Sequence, residues 1–353
     1  MQLKYRKQFD NNIMEQFEKA MQIMQGMPLR APFFIKMLLN QKKAATKREK
    51  LVQDGLEVPP LLIISITQRC NLNCAGCYSK VLHQAKEPEL EPDKFREILT
   101  EAGDLGVSIV LLAGGEPLVR KDFLEIAARF PKIMFPIFTN GLLLDNDYLN
   151  FFSKHPNLIP VISLEGGEFE TDFRRGEGVY KKFHTINDDL NKKQILWGTS
   201  LTVTSQNMDL LFSDAYINSM RAKGCKLFFF VEYVPISEGS ENLVLSDEQK
   251  AMVQPNVDRL MASHPAMFIA FPGDEEQYDG CLAAGRGFMH INPSGKVEPC
   301  PFAPFSDTDL HFNTLREALS SEFLAKVRKN HHLLKEGKGG CALWANREWL
   351  RNL

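Results

Sequence analysis

Three thiols fall within the nine-residue run Cys70-Asn71-Leu72-Asn73-Cys74-Ala75-Gly76-Cys77-Tyr78, separated by three and then two residues. Thiolates spaced this closely can hold three irons of a cubic iron–sulfur cluster and leave the fourth iron open to a substrate or cofactor. The protein then sets the potential, over about −700 to +450 mV, through charge, hydrogen bonds and exposure. A zinc knuckle or three unrelated core thiols is the competing reading, because a CxxC pair is also a common zinc spacing. Residues 61 to 66, Leu-Leu-Ile-Ile-Ser-Ile, read as a buried strand. The cysteine loop therefore leaves the C-terminal end of a strand, where α/β folds place their chemistry.

A second strand-like run, residues 107 to 113, ends in Gly114-Gly115-Glu116-Pro117, 37 residues beyond Cys77. The two motifs in this order resemble the signature loops of the radical S-adenosylmethionine (radical SAM) enzymes. The resemblance implies that Cys70, Cys74 and Cys77 ligate a catalytic 4Fe-4S cluster and that Gly114, Gly115, Glu116 and Pro117 hold the cofactor's amino group. It further implies that Thr139 and Ser163 serve its carboxylate or ribose, that Glu165 belongs to the cofactor-binding set, and that adenine lies near Tyr78 and the backbone of Val234 to Ile236. For each hydroxyl a strand-end turn cap is the alternative. The implied reaction is one-electron cleavage of S-adenosylmethionine to methionine and a 5′-deoxyadenosyl radical, which takes a hydrogen from an unactivated carbon. Reduced flavodoxin or ferredoxin is the implied electron donor.

These residues need a scaffold that gathers them. Strand-like runs at 61 to 66, 107 to 113, 133 to 138, 159 to 164, 197 to 204 and 227 to 234 alternate with helical ones. Six strand–helix repeats predict a parallel sheet with right-handed crossovers, and the resemblance implies a partial (β/α)6 TIM-like barrel. Its strands' C-terminal ends share one mouth, so Thr139-Asn140-Gly141, Ser163 to Gly166, Thr202 to Thr204 with Asn207, and Glu232-Tyr233 belong there. Arg120 and Arg174-Arg175 lie near the same rim; each can grip a carboxylate or phosphate, or form a surface ion pair.

A second cysteine group is spread over the C-terminal part. Cys281 and Cys300 flank residues 288 to 299, which read as a hairpin turning at Asn292-Pro293-Ser294-Gly295, and Cys341 follows in Gly339-Gly340-Cys341. This region resembles the SPASM extension, or its shortened twitch form, of many radical SAM maturases. The resemblance implies one auxiliary 4Fe-4S cluster on Cys281, Cys300 and Cys341. The cysteine-dense second half of SPASM is missing, so a fourth ligand is open to substrate, His290, Glu298 or a partner's group. Zinc or unligated thiols are the alternatives. Cys225 reads as a small buried residue, and His331-His332 and Asp274-Glu275-Glu276 as solvated loop residues.

The 353 residues carry 42 basic and 44 acidic side chains, a formal charge of −2, which excludes a general nucleic-acid-binding footprint. No apolar run spans a membrane and no signal-peptide core follows Met1. Seven cysteines, six in two groups, suit metal binding in a reducing compartment, so the expected location is cytoplasmic. Ile13, Met14, Phe17, Met21 and Met24, then Phe33, Phe34, Met37 and Leu38, mark two N-terminal helices. They read as helices packed on the outside of the barrel. A basic stretch from Lys42 to Lys50 leaves contact with a membrane surface, a lipid-like substrate or a partner as alternatives.

The expected organisation is a helical extension (1–58), a barrel (59–236) and an auxiliary-cluster region (237–353). The substrate is a peptide or protein, or a small molecule. A non-catalytic two-cluster electron carrier or redox sensor is the alternative from outside enzymology, and a carrier needs no site for a cofactor amine.

Overall fold

The structure is a computed structural model that describes residues 2–23, 30–83, 87–271, 278–335 and 341–353. Asp274-Glu275-Glu276 and Met24 lie outside the described residues. In chain order the elements that build the site are α1 (Gln2–Ile23), α2 (Ala31–Gln53), β1 (Leu61–Ser65), α3 (Tyr78–Leu82), α4 (Pro92–Leu105), β2 (Ile109–Ala113), α5 (Lys121–Ala128), β3 (Phe135–Thr139) and α6 (Asn146–Lys154). They continue with β4 (Leu158–Leu164), α7 (Glu168–Arg175), α8 (Val179–Lys192), β5 (Gly198–Val203), α9 (Met208–Leu211), α10 (Asp214–Ala222) and β6 (Leu227–Glu232). Three more strands, β7 (Met267–Phe271), β8 (Phe288–Ile291) and β9 (Val297–Glu298), complete one sheet.

The sheet runs β7-β6-β5-β4-β3-β2-β1-β8-β9. All pairings are parallel except the β8–β9 hairpin. It curls into a half-barrel, as the strand–helix alternation predicts, and it is longer than the six strands expected. Alternating side chains give it two apolar faces. Leu62, Ile64, Val110, Leu112, Phe135, Ile137 and Ile162 join Phe95, Phe123 and Phe152 of the surrounding helices in the main core. Phe95 and Phe123 stack at 4.5 Å between centroids.

The other, concave face is filled from the N-terminal extension. Phe17 and Ile23 of α1 and Phe34 and Met37 of α2 form one apolar cluster with Met134, Ile159, Val161, Leu227 and Phe229. Arg30, ahead of α2, donates to the carbonyls of Gln194 (2.9 Å), in the loop entering β5, and Ser153 (2.8 Å), in the last turn of α6. The buried Arg48 reaches Asp10 and the Gly106 carbonyl. The two helices thus pack against the concave face and the strand starts, closing the N-terminal end of the half-barrel. An amphipathic stripe states that one face is buried and is silent on its partner. The lysines at 42, 43, 47 and 50 remain exposed. No described helix is long and apolar enough to cross a membrane.

The C-terminal hairpin also departs from a separate appendage. β8 pairs parallel to β1 from Leu61↔Phe288 to Ile64↔Ile291. The strand that feeds the first cysteine loop is therefore a direct neighbour of the hairpin that precedes Cys300.

Candidate active site

The loop carrying Cys70, Cys74 and Cys77 leaves β1, and Cys77 stands at the N-cap of α3. All three thiols are half-buried and none of the seven cysteines forms a disulfide. The loop is braced on several sides. The Ala75 N–H donates to the Arg174 carbonyl at 2.9 Å, and the Arg174 guanidinium returns a bond to the Ala75 carbonyl at 3.3 Å. Lys80 donates to the Leu72 carbonyl (2.7 Å) and to Asn73 (2.6 Å), and Asn140 donates to Asn71 at 2.8 Å. Gly76 sits at φ +63, and a β-carbon there would lie 3.0 Å from the Tyr233 hydroxyl, so the residue before Cys77 is confined to glycine. That hydroxyl is buried without a partner among the described residues.

The glycine-glycine-glutamate-proline turn locks onto the start of the same loop. Gly115 N–H donates to the Thr67 carbonyl at 2.7 Å and Glu116 N–H to the Arg69 carbonyl at 2.8 Å. A β-carbon on Gly114 would stand 2.4 Å from the Thr67 carbonyl oxygen, and one on Gly115 would stand 2.2 Å from that of Arg69. Only residues without a side chain allow this approach. Glu116 follows, 1% exposed. Its carboxylate accepts from Thr139 Oγ1 (2.6 Å), Leu118 N–H (3.0 Å) and Asn140 N–H (2.8 Å). Burial raises its pKa and these three bonds pull it back. A carboxylate offers about four acceptor positions, so this side chain is almost fully used in tying β2 to β3. Pro117 opens a short 3-10 turn.

Thr139 is likewise engaged, donating to Glu116 and accepting from Gly141 N–H at 3.0 Å. Ser163 is half-buried at the end of β4 and its hydroxyl has no hydrogen-bond partner among the described residues. Of the two candidates for the cofactor carboxylate or ribose, Ser163 is the one left available. Glu165 is 3% exposed in its side chain and takes Arg174 (2.5 Å) and Arg175 (2.6 Å) on one oxygen, while the other is buried without a partner. Arg174 also donates to Thr202 at 2.7 Å. Burial raises the pKa of Cys74, and Arg175 and Arg174 beside it act in the opposite direction. For Cys70, burial raises it and the Leu72 N–H bond opposes.

Arg120 is already engaged. It pairs with Glu89 at 3.1 Å and Asp122 at 3.0 Å and lies 3.8 Å over the Phe123 ring. Glu89, which the sequence did not single out, also accepts from Thr67 Oγ1 (2.8 Å) and Gln68 N–H (2.7 Å), so it holds the approach to the cysteine loop. Tyr78 packs its ring 4.8 Å from Phe302. Burial raises its phenol, with Cys77 and then Cys300 adding to the effect, so it lies between the two cysteine groups.

Cys281, Cys300 and Cys341 do come together. Burial drives the Cys300 thiol well up, and Cys341 and Cys281 each contribute. The hairpin brings Cys300 round, the Cys281 N–H bonds the Leu334 carbonyl at 3.0 Å, and Cys341 caps the helix Ala342–Ala345 by accepting from Trp344 N–H at 3.4 Å. Among the described residues, the group of three His, Cys, Asp or Glu donors drawn within 4.8 Å is His83–His290–Glu298, and neither cysteine triad is so tight. Cys225 is fully buried and donates to the Leu227 carbonyl at 3.3 Å. His331 Nδ1 stands 2.7 Å from the Arg328 carbonyl.

A half-barrel whose mouth presents a three-cysteine loop interlocked with a glycine-glycine-glutamate-proline turn defines a radical SAM enzyme. Residues 64–209 match the Radical SAM superfamily, and the chain carries a radical SAM domain. It is similar to an AdoMet-dependent heme synthase of Methanosarcina barkeri, 25% identical over 81% of this chain and 88% of that protein. A PqqA peptide cyclase of Granulibacter bethesdensis is 27% identical over 74% of this chain and 72% of its own. Streptococcus suis SuiB bound to S-adenosylmethionine shares the fold, with a TM-score of 0.66 at 18% identity over 87% of this chain and 76% of that one. A radical SAM domain implies a 4Fe-4S cluster and S-adenosylmethionine, which together supply a 5′-deoxyadenosyl radical that abstracts a substrate hydrogen.

Proposed function

We propose that Cys70, Cys74 and Cys77 hold the S-adenosylmethionine-cleaving cluster and that the chain oxidatively modifies a peptide or protein at the barrel mouth. The interlock of Gly114 and Gly115 with Thr67 to Arg69 carries this reading. It fixes the cofactor turn beside Cys70, so a cofactor amine held by that turn sits next to the loop. Ser163 and the unpartnered oxygen of Glu165 are the polar groups left to receive cofactor or substrate. The mouth's glycines, Tyr78 and the curved wall keep water from the radical.

Cys281, Cys300 and Cys341 hold an auxiliary 4Fe-4S cluster in this reading. It accepts an electron from the substrate radical or anchors the substrate. Reduced flavodoxin or ferredoxin feeds the first cluster, and seven cysteines outside any disulfide suit the cytoplasm. Peptide modification rests on the peptide cyclase relative. A small molecule of the tetrapyrrole class is the second reading, favoured by the heme synthase relative and by α1 and α2, which are spent on closing the N-terminal end of the half-barrel and offer no free peptide-docking module.

The test is 5′-deoxyadenosine formation by anaerobically reconstituted, reduced protein, against a variant with Ala at Cys70, Cys74 and Cys77. Turnover in the parent alone supports the assignment. No cleavage by a parent with intact, reduced clusters, with or without candidate peptides and porphyrins, overturns it in favour of a carrier or sensor.

A further inference from the structure

Beside the auxiliary cysteines lies a set of buried donors that the radical chemistry does not use. His290 on β8 is fully buried, and Glu298 on β9 and His83, just past α3, are 3% and 6% exposed. Their donor atoms lie within 4.8 Å of one another. His290 Nδ1 is 2.7 Å from Glu298 Oε2, and His83 Nδ1 is 3.9 Å from the same oxygen.

The far side of each donor is held by a different group. His83 Nε2 bonds the Pro301 carbonyl at 2.8 Å, His290 Nε2 meets Ser65 Oγ at 2.8 Å, and Glu298 Oε1 accepts from Asn292 at 2.8 Å. A carbonyl only accepts, so His83 carries its proton on Nε2 and aims the lone pair of Nδ1 at a carboxylate. A proton on His290 explains the 2.7 Å contact and leaves the His83 pair facing negative charge. His83 Nδ1 has no hydrogen-bond partner among the described residues, although the residue is more than nine-tenths buried. A cation among the three atoms satisfies all of them at once. Outer groups that orient imidazole and carboxylate ligands in this way are the usual surroundings of a bound metal.

We propose that His83, His290 and Glu298 form a mononuclear site for a divalent first-row cation, distinct from both cysteine groups. Two imidazoles and one carboxylate suit zinc or ferrous iron and leave a coordination position open. Two of the three donors, His83 and Glu298, line a cavity of about 500 Å³ together with Gln68, Leu82, Asn292 and Lys296. The cation joins β1, through Ser65, to the hairpin that leads to Cys300 and to the segment that follows the first cysteine loop.

The probe is zinc on the cluster-loaded protein. One equivalent is added anaerobically, unbound metal is stripped on a chelating resin, and zinc and iron per chain are measured together with the zinc K-edge absorption spectrum. The expected result is about one retained zinc with a nitrogen–oxygen shell near 2.0–2.1 Å, imidazole scattering and no sulfur near 2.3 Å. His83→Gln and Glu298→Gln each lower retention at least tenfold with iron unchanged, and Asn292→Ala weakens binding by 10–100-fold. Sulfur in the shell, no retained zinc in the parent, or full retention in both the His83→Gln and the Glu298→Gln protein overturns the site. Should a variant lose its iron or its fold, the parent's own absorption spectrum decides between these outcomes.

Discussion

Replacing Gly115 by Ala tests whether the cofactor turn and the cysteine loop form one unit. The new β-carbon would fall 2.2 Å from the Arg69 carbonyl oxygen, 2.6 Å from its carbon and 2.7 Å from the Gln68 carbonyl oxygen. Ordinary contact begins near 3.4 Å, and all three obstacles are backbone, so the strands must part by about an ångström. That movement breaks the bonds from Gly115 N–H to Thr67 and from Glu116 N–H to Arg69. Overpacking costs about 1–3 kcal/mol, and each of the two buried backbone bonds left unmade about 1–3 kcal/mol, for a total of about 3–9 kcal/mol if the loop stays in place. If the loop yields instead, the residue that moves is the neighbour of Cys70. The assay pairs urea unfolding with iron content and 5′-deoxyadenosine formation. We expect either the stability loss or a cofactor-cleavage rate at least tenfold lower. Gly103→Ala is the control, because its β-carbon meets Ile133 Cδ1 at 3.7 Å inside α4, and it should stabilise by up to about 1 kcal/mol through helix propensity. A Gly115→Ala protein matching the parent in all three readouts would refute the interlock.

Phe34→Ala removes a ring that is 2% exposed in the concave core, and should cost about 3–5 kcal/mol in urea unfolding; a change under about 1 kcal/mol would mean that α2 does not pack on the concave face. Glu165→Gln strips the charge shared by Arg174 and Arg175, and calorimetry should register a loss of about 3–5 kcal/mol, the cost of leaving buried charge unpaired. Cys225, whose thiol burial pushes up, should resist iodoacetamide at pH 8 in the folded protein and react only in denaturant; labelling at the rate of a free thiol would contradict its burial. Replacing Cys281, Cys300 and Cys341 together by Ala should lower reconstituted iron from about eight to about four per chain, with unchanged iron counting against a second cluster.

The parts legible in the sequence are those whose cause is local. Apolar runs alternating with helical stretches marked β1 to β6, and the Gly114-Gly115-Glu116-Pro117 motif marked the turn that follows β2. What the sequence withheld depends on contacts far along the chain. Thr139 is an acceptable cofactor ligand until Glu116, 23 residues earlier, is seen to occupy its hydroxyl proton. Arg120 read equally as a ligand grip or an ion pair, and only the fold shows Glu89, 31 residues before it, as its partner. His83 had no motif around it and gains its meaning only where His290 and Glu298 fold back beside it. The stripe on α1 and α2 announced burial, and only the curled sheet shows that the buried side lies against its concave face.

The pairing of β1 with β8 also sets an order of events at the ribosome. Leu61 waits for Phe288, 227 residues later, before that edge of β1 is covered. At about 5–20 residues per second, the nascent chain carries an open strand edge for roughly ten to forty-five seconds. Throughout that interval Cys70, Cys74 and Cys77 are already made while Cys281, Cys300 and Cys341 are still to come. Iron delivered early therefore meets three thiols beside an unfinished sheet. Chaperone protection of β1 and the timing of metal delivery become one problem for the cell that makes this protein.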